Sequence, residues 1–175
     1  MPPGDTLLSH AHPELIGADY VVFVDSSRRY MDCSDGIHPL LGYEREELLQ
    51  KTIDDISYDD AEVKQLFKQY LNAGGLAGEY VLKRKDGTPL PIRYKSFVFS
   101  DGCLAAVWEP IHDWRQPYLA ALLEIDPAKL RHKIDIALAA IQAHMLRPDA
   151  TQALQERQSI QDARSALRVL LKTAK

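Results

Sequence analysis

What this chain of 175 residues lacks narrows its function before any motif is read. It has two cysteines, Cys33 and Cys103, without Cys-x-x-Cys spacing. That is too few for a disulfide framework, so both are expected as buried free thiols. Neither sits in a basic pattern of the kind that favours a reactive thiolate. No run of 18 apolar residues occurs, and the opening "MPPGDTLLSH" has neither the basic start nor the apolar core of a secretory signal. A cytosolic protein is expected. The formal net charge is −4, so no basic surplus exists to hold nucleic acid or an anionic membrane. Also missing are a Gly-rich phosphate loop, a Ser/His/Asp order and a paired-carboxylate arrangement, which points away from an enzyme. His10 and His12 could start a metal site, but no Cys or carboxylate follows at ligand spacing, so they read as surface and no metal is expected.

What is present suffices for one real core: 46% of residues are hydrophobic, enough for a domain of ordinary size with an appendage. "DYVVFVDSSRRYMDCS", residues 19–34, reads as two strands joined at Asp25-Ser26-Ser27, whose short polar side chains bond their own backbone in turns. "DGIHPLLGYEREELLQKTIDDIS" follows as short helices punctuated by Gly36, Pro39 and Gly42, with Glu44, Glu46 and Glu47 in early turns. A longer amphipathic helix is predicted from Asp59 or Asp60 to Gly74-Gly75, with Val63, Leu66, Phe67, Tyr70 and Leu71 on one stripe. Asp54, Asp55, Asp59 and Asp60 read as a solvated, helix-capping cluster. Three antiparallel strands come next, over Gly78–Arg84, Ile92–Phe99 and Cys103–Trp108, closed by turns at Asp86-Gly87 and Asp101-Gly102. Pro89 and Pro91 belong at a strand entrance or on an edge, since neither can donate to a ladder.

This order resembles the PAS fold, and two segments carry the likeness. Gly42-Tyr43-Glu44-Arg45-Glu46-Glu47-Leu48-Leu49 resembles the family's Gly-Tyr-x-x-Glu-Glu-Leu segment, and Lys83-Arg84-Lys85-Asp86-Gly87-Thr88 its Arg-x-Asp-Gly-x turn. Asp25 ends the first strand as an Asp commonly does in that family. Cys33-Ser34-Asp35-Gly36 departs from the pattern, which often has Asn after the second strand. The resemblance implies an α+β PAS domain over residues 17–113, with a five-stranded antiparallel sheet and flanking short helices; around it the sequence reads as an N-terminal cap segment (1–16), a linker (114–125) and an antiparallel helical hairpin (126–175).

It also implies a pocket between the sheet and the longer helix. The candidates are Met31, Leu41, Phe67, Tyr70, Tyr80, Leu82, Tyr94, Val107 and Trp108, apolar or amphipathic residues on elements that flank the expected cavity; plain core packing explains the same stripes. Tyr94 stands apart because a buried phenol needs a partner. The ligand is unknown. Haem is disfavoured because residues 59–73 contain no His, leaving His38 as the nearest axial candidate. Covalent flavin is disfavoured because Ser57-Tyr58-Asp59-Asp60 stands where that chemistry requires a reactive Cys.

Beyond Ile111, Asp126-Pro127 starts a long helix with an N-cap and a proline at the first helical position. Leu130, Ile134, Ala137, Leu138, Ile141 and Met145 share one stripe, and Arg147-Pro148-Asp149 ends the run. A second helix from about Thr151 carries Ile160, Ala163, Leu167, Leu170 and Ala174 at spacings near a coiled-coil seam. The pair could pack within the chain or form a four-helix bundle in a homodimer, with Leu130, Ile134, Leu138, Ile141, Met145, Ile160, Leu167 and Leu170 at the interface. The reading is a sensory or adaptor module of signal transduction that senses a small ligand or partner and signals through dimerising C-terminal helices. A ligand-free interaction scaffold is the alternative. A third reading, phosphotransfer at His132, rests on the faint likeness of Leu130-Arg131-His132-Lys133-Ile134 to a sensor-kinase phosphoacceptor segment.

Overall fold

The computed structural model of the chain describes residues 15, 17–58, 67–69, 72–99, 102–147 and 154–173. Two compact units emerge, one from residues 1–88 and 92–109, the other from residues 89–91 and 110–175. The first is built on the expected five-stranded antiparallel sheet. Its strands are β1 (Val21–Val24), β2 (Tyr30–Cys33), β3 (Ala77–Lys83), β4 (Pro89–Val98) and β5 (Leu104–Pro110). They lie in the order β2-β1-β5-β4-β3. The short apolar β5 is therefore the central strand, and Pro89 and Pro91 fall within the first three residues of β4.

Turn chemistry sets the hairpins. The Asp25 carboxylate accepts the backbone N–H groups of Ser27 and Arg29 at 2.8 and 2.9 Å, which holds Arg28 at φ 66° without a glycine. At the β3–β4 turn the Asp86 carboxylate accepts the Thr88 N–H and hydroxyl at 2.9 and 2.7 Å beside Gly87. Asp101 lies outside the described residues; Gly102 completes its turn with φ 82°.

Ser34 fills the position where the family pattern has Asn. Its hydroxyl accepts the Val21 N–H at 2.8 Å and donates to the Asp19 carbonyl at 2.7 Å, so the exit of β2 is tied to the start of β1. The short helices follow, α1 (Ile37–Leu41) and α2 (Arg45–Leu48), the latter entered through a reciprocal capping box between Glu44 and Glu47. Of the longer amphipathic helix, residues 67–69 and 72–73 are helical and Phe67 is buried. Asp59, Asp60, Val63, Leu66, Tyr70 and Leu71 lie outside the described residues.

The register of β1 on β5 pairs Val21 with Val107, Val22 with Ala106, Phe23 with Ala105 and Val24 with Leu104. Since side chains alternate faces along a strand, each pair shares one face. Val21, Phe23 and Ala105 form one cluster with Leu15, against which Val107, Phe97 and Phe99 pack. Val22, Val24, Leu104 and Ala106 occupy the opposite face.

The second unit is where the structure departs from expectation. Residues 114–125, expected as a linker, contain the helix α3 (Arg115–Leu122). Trp114, Tyr118 and Ala121 recur at helical spacing, and Pro117 falls in the first turn, where its missing N–H costs nothing. Trp114 and Ala121 are buried, and the Trp114 and Tyr118 rings stand 5.9 Å apart. The two predicted helices are α4 (Pro127–Met145) and α5 (Leu154–Thr173). Asp126 caps α4 as expected, accepting the Ala128 N–H at 2.9 Å. Helix α4 packs against both α3 and α5, so the appendage is a three-helix arrangement. Pro148, Asp149, Thr151 and Ala174 lie outside the described residues.

Candidate functional site

The inner face of the sheet, with Phe67 and Ile53, encloses an apolar cavity of about 60 Å³. Every strand contributes by the period-2 rule. Strand β1 gives Val22 and Val24, β2 gives Tyr30, and β3 gives Tyr80 and Leu82. Strand β4 adds Ile92, Tyr94 and Ser96, and β5 adds Leu104, Ala106 and Trp108. Phe67, Tyr80, Leu82, Tyr94 and Trp108 are thus brought together as the sequence suggested.

Three other candidates are not. Val107 has the opposite parity to Trp108 and packs on the outer cluster. Met31 has the opposite parity to Tyr30 and is 45% exposed, its sulfur 3.9 Å from the Cys103 thiol. Leu41 is fully buried in α1 but away from the cavity. Tyr70 lies outside the described residues. Missed were Val22, Val24, Tyr30, Ile53, Ile92, Ser96, Leu104 and Ala106, of which Ile92, Ser96, Leu104 and Ala106 follow from strand parity once Tyr94 and Trp108 are placed.

The polar groups of the wall are mostly committed. The Ser96 hydroxyl accepts the Leu76 N–H and donates to the Leu76 carbonyl, both at 3.0 Å. Burial pushes the Tyr30 phenol well above its ordinary value, so it stays a neutral hydroxyl. The half-buried Tyr94 lies over Gly78, where a Cβ would come within 2.9 Å of its oxygen. A side chain at that position would have to displace the Tyr94 phenol. No carboxylate, imidazole, amine or thiol is among the described residues of the lining. Beside Phe67, the Arg28 guanidinium lies 5.9 Å from the ring centroid and donates to Asp54 at 2.7 Å. Asp54 therefore serves an ion pair, and Asp55 accepts the Thr52 N–H at 2.7 Å, ahead of a 3-10 turn (Asp54–Ile56) that no side chain caps. That bond holds the Asp55 carboxyl below its usual range.

The sequence candidates for cofactor chemistry lie elsewhere. His38 is exposed, its Nδ1 2.6 Å from the Tyr43 carbonyl. Cys33 is buried and Cys103 only half-buried; both are free. Arg45 comes within 3.8 Å of the Cys33 sulfur, yet burial still raises the thiol above its ordinary value. At about 60 Å³ the space lies below the roughly 300–1,000 Å³ of typical ligand pockets. Among the described residues no group of His, Cys, Asp or Glu could hold a metal; His10 and His12 lie outside them.

The two motif segments meet in space. Lys85 pairs with Glu47 at 2.7 Å, the Lys85 N–H donates to the Leu41 carbonyl at 2.9 Å, and the Arg84 Nε donates to the Leu40 carbonyl at 3.1 Å. Lys51 and Lys85 lie 5.0 and 5.9 Å from the centroid of the Tyr43 ring. These residues lock the short helices to the β3–β4 turn rather than line the cavity. Arg45 has a similar role: it donates to the buried Asp32 carboxylate and, at 2.6 Å, to the Cys33 carbonyl.

In the second unit Ile134, Ile141, Ile160 and Leu167 are buried within the single chain. Leu130, Leu138 and Leu170 are half-buried and Met145 is exposed. His132 is half-buried on α4. No helix among the described residues is long and apolar enough to cross a membrane.

No curated protein matches the chain. Among solved structures, a domain of the sensory box sensor histidine kinase/response regulator from Geobacter sulfurreducens is 20% identical with a TM-score of 0.51, covering 60% of this chain and 97% of that one. A PAS domain from a two-component sensor histidine kinase is 14% identical with a TM-score of 0.51, covering 60% and 96%. The PAS domain of the fruit-fly ELK potassium channel is 22% identical with a TM-score of 0.50, covering 61% and 98%. At these identities the likeness is one of fold. The sequence profile described as PAS domain matches residues 18–107, the stretch that holds every sheet residue of the cavity lining except Trp108. With that match over more than half of its length, the chain belongs to the PAS domain family, whose members commonly serve as sensory modules in signal transduction.

Proposed function

We propose that this chain is a non-enzymatic sensory module that takes one small, uncharged, mainly apolar molecule into the cavity and signals through its C-terminal helices. The observation that carries this reading is the cavity itself: about 60 Å³ of space with an apolar lining. The cavity suits a molecule of only a few non-hydrogen atoms. An apolar cavity disfavours water, so a small apolar occupant gains by entering. Strand β5 runs by a short link into α3, which gives a change at the cavity wall a covalent route toward the helices. An occupant moves that equilibrium only by its difference in affinity for the two states.

Native mass spectrometry of the freshly purified full chain tests the reading, together with thermal unfolding in the presence of short alcohols and ketones. A discrete extra mass, or stabilisation that saturates, is the expected result; an occupant at a hundred times its Kd adds about 2.7 kcal/mol. A bare chain that no such molecule stabilises would replace this reading with a ligand-free scaffold. The subunit count from the same spectrum decides whether the helices act in a homodimer.

A further inference from the structure

Charge is divided unevenly along the chain. Residues 1–109 carry eleven Lys and Arg against eighteen Asp and Glu, whereas residues 110–175 carry ten against seven. The basic excess gathers on one flank of α5. Arg157, Gln161, Arg164, Arg168 and Lys172 recur at three and four residues, one side of a helix of period 3.6. Asp162 lies on another flank and bonds to Gln158, and Glu156 is held by Trp114 and Arg115.

Elsewhere cations have acids: Arg28 pairs with Asp54, Arg45 with Asp32, Lys85 with Glu47 and Arg93 with Glu79. Arg164 and Arg168 have no acidic partner among the described residues. Between them and α4 lies a groove of about 350 Å³, bounded by Met145 of α4 and by Arg157, Ile160, Gln161, Arg164, Ser165 and Arg168. Ile160 is 4% exposed and Met145 43%, so the groove has an apolar floor open to solvent beside a row of guanidinium groups.

From this arrangement we infer that the α5 flank is a docking surface for an acidic amphipathic helix of a partner protein. Arg157 to Arg168 spans about 16 Å along the helix axis, three turns, so a partner helix with carboxylates at three- and four-residue spacing can meet the arginines in sequence. Its apolar side chains then enter between Met145 and Ile160. Guanidinium favours this use because its planar fork meets a carboxylate through two parallel hydrogen bonds. An extended polyanion is a poorer fit, because it makes no use of the apolar floor. The surface lies on the helices and does not depend on the cavity being occupied.

The test is fluorescence anisotropy of the full chain with a labelled 16-residue peptide of Glu, Gln, Ala and Leu. The Glu residues flank a Leu stripe at helical spacing, and a scrambled peptide of equal composition is the control. The patterned peptide should bind at least tenfold more tightly than the scrambled one, and less tightly as salt rises. Arg164→Glu with Arg168→Glu should weaken binding at least tenfold, with circular dichroism and thermal unfolding unchanged; Lys68→Glu with Lys129→Glu should leave binding as it was. Should the charge reversal disturb folding, Arg164→Gln with Arg168→Gln should still weaken binding at least threefold. Equal binding of the two peptides, or indifference to the arginine variants, overturns the inference. So does tighter binding to phosphatidylserine vesicles or a 20-base-pair duplex, or loss of self-association in the arginine variants without loss of peptide binding. Native mass spectrometry of the cavity occupant should be unaffected by the same variants, which separates this surface from the sensory reading.

Discussion

Replacing Glu156 should unseat α5 from α3 in a graded, pH-dependent way. Trp114 is 3% exposed and its indole N–H donates to the Glu156 carboxylate at 3.0 Å. Glu156→Ala strands that donor, which costs about 1–3 kcal/mol. The same change removes the ion pair with Arg115, whose side chain is half exposed, a loss of at most about 1 kcal/mol. Alanine's better helix propensity returns a few tenths. The net is a destabilisation of about 2 kcal/mol, or roughly 4–8 °C in Tm for a chain of this size. Glu156→Gln keeps an acceptor for the indole and loses only the charge, so its cost should be about 0.5 kcal/mol.

The pH dependence follows from the carboxyl being held below its ordinary range, chiefly by the Trp114 hydrogen bond and then by Arg115, with His144 3.4 Å away. A depressed folded value means that the charged form stabilises above the ordinary carboxylate range near 4.3, and that this contribution is lost as pH falls through the folded value. Thermal unfolding by far-ultraviolet circular dichroism should show a constant gap between wild type and Glu156→Gln from neutrality to about pH 5, closing below about pH 4. If Glu156→Ala and Glu156→Gln unfold alike, the buried indole does not depend on this acceptor and the reasoning fails.

Arg45→Met should lower stability by about 2–3 kcal/mol, because it leaves the Asp32 carboxylate buried; the cost falls below that of a fully buried pair because Arg45 is itself 37% exposed. Urea unfolding checks it, and Asp32→Asn in the same chain should recover part of the loss. Gly75→Ala should cost about 3 kcal/mol, since its φ is 141° and a Cβ would stand 2.3 Å from the Ser96 carbonyl oxygen; wild-type stability in this variant would show that the β4 edge yields easily. Ala106→Leu should fill the cavity, change stability by less than about 1.5 kcal/mol and abolish any stabilisation by small alcohols or ketones. Persistence of that stabilisation would place the binding elsewhere.

The sheet was legible because its signals are local. Asp25, Asp86-Gly87 and Gly102 mark turns whose chemistry does not depend on distant contacts, and alternation within each strand separates two faces. What alternation leaves open is which face meets the cavity. Choosing side chains by type put both Val107 and Trp108 on the wall, although adjacent residues of a strand cannot share a face. Met31 failed likewise beside Tyr30. Small residues such as Ala106 and Ser96 carried no compositional mark and became visible only through the register of their strands. In the second unit, residues 114–125 read as a bridge to Asp126-Pro127, although Pro117, in a first helical turn, breaks nothing there. Without α3, the stripe through Ile134 and Ile141 left packing within the chain and packing in a dimer both open.

The size of the cavity limits what its occupant can do. The best small ligands gain about 1.5 kcal/mol per non-hydrogen atom, so four atoms provide at most roughly 6 kcal/mol and a Kd of tens of micromolar. Moving a two-state equilibrium from 1:99 to 99:1 requires about 5.5 kcal/mol of differential affinity, nearly all of that. An occupant that binds both states to any degree therefore drives only part of the change. The remainder has to come from a second interaction that prefers the same state, and linkage makes the effect reciprocal: a partner bound to the helices would tighten the cavity for its occupant by the factor that the occupant tightens the partner. A Kd below one micromolar for a lone small molecule on the isolated chain would exceed this bound and mean that the cavity widens well beyond 60 Å³ on binding.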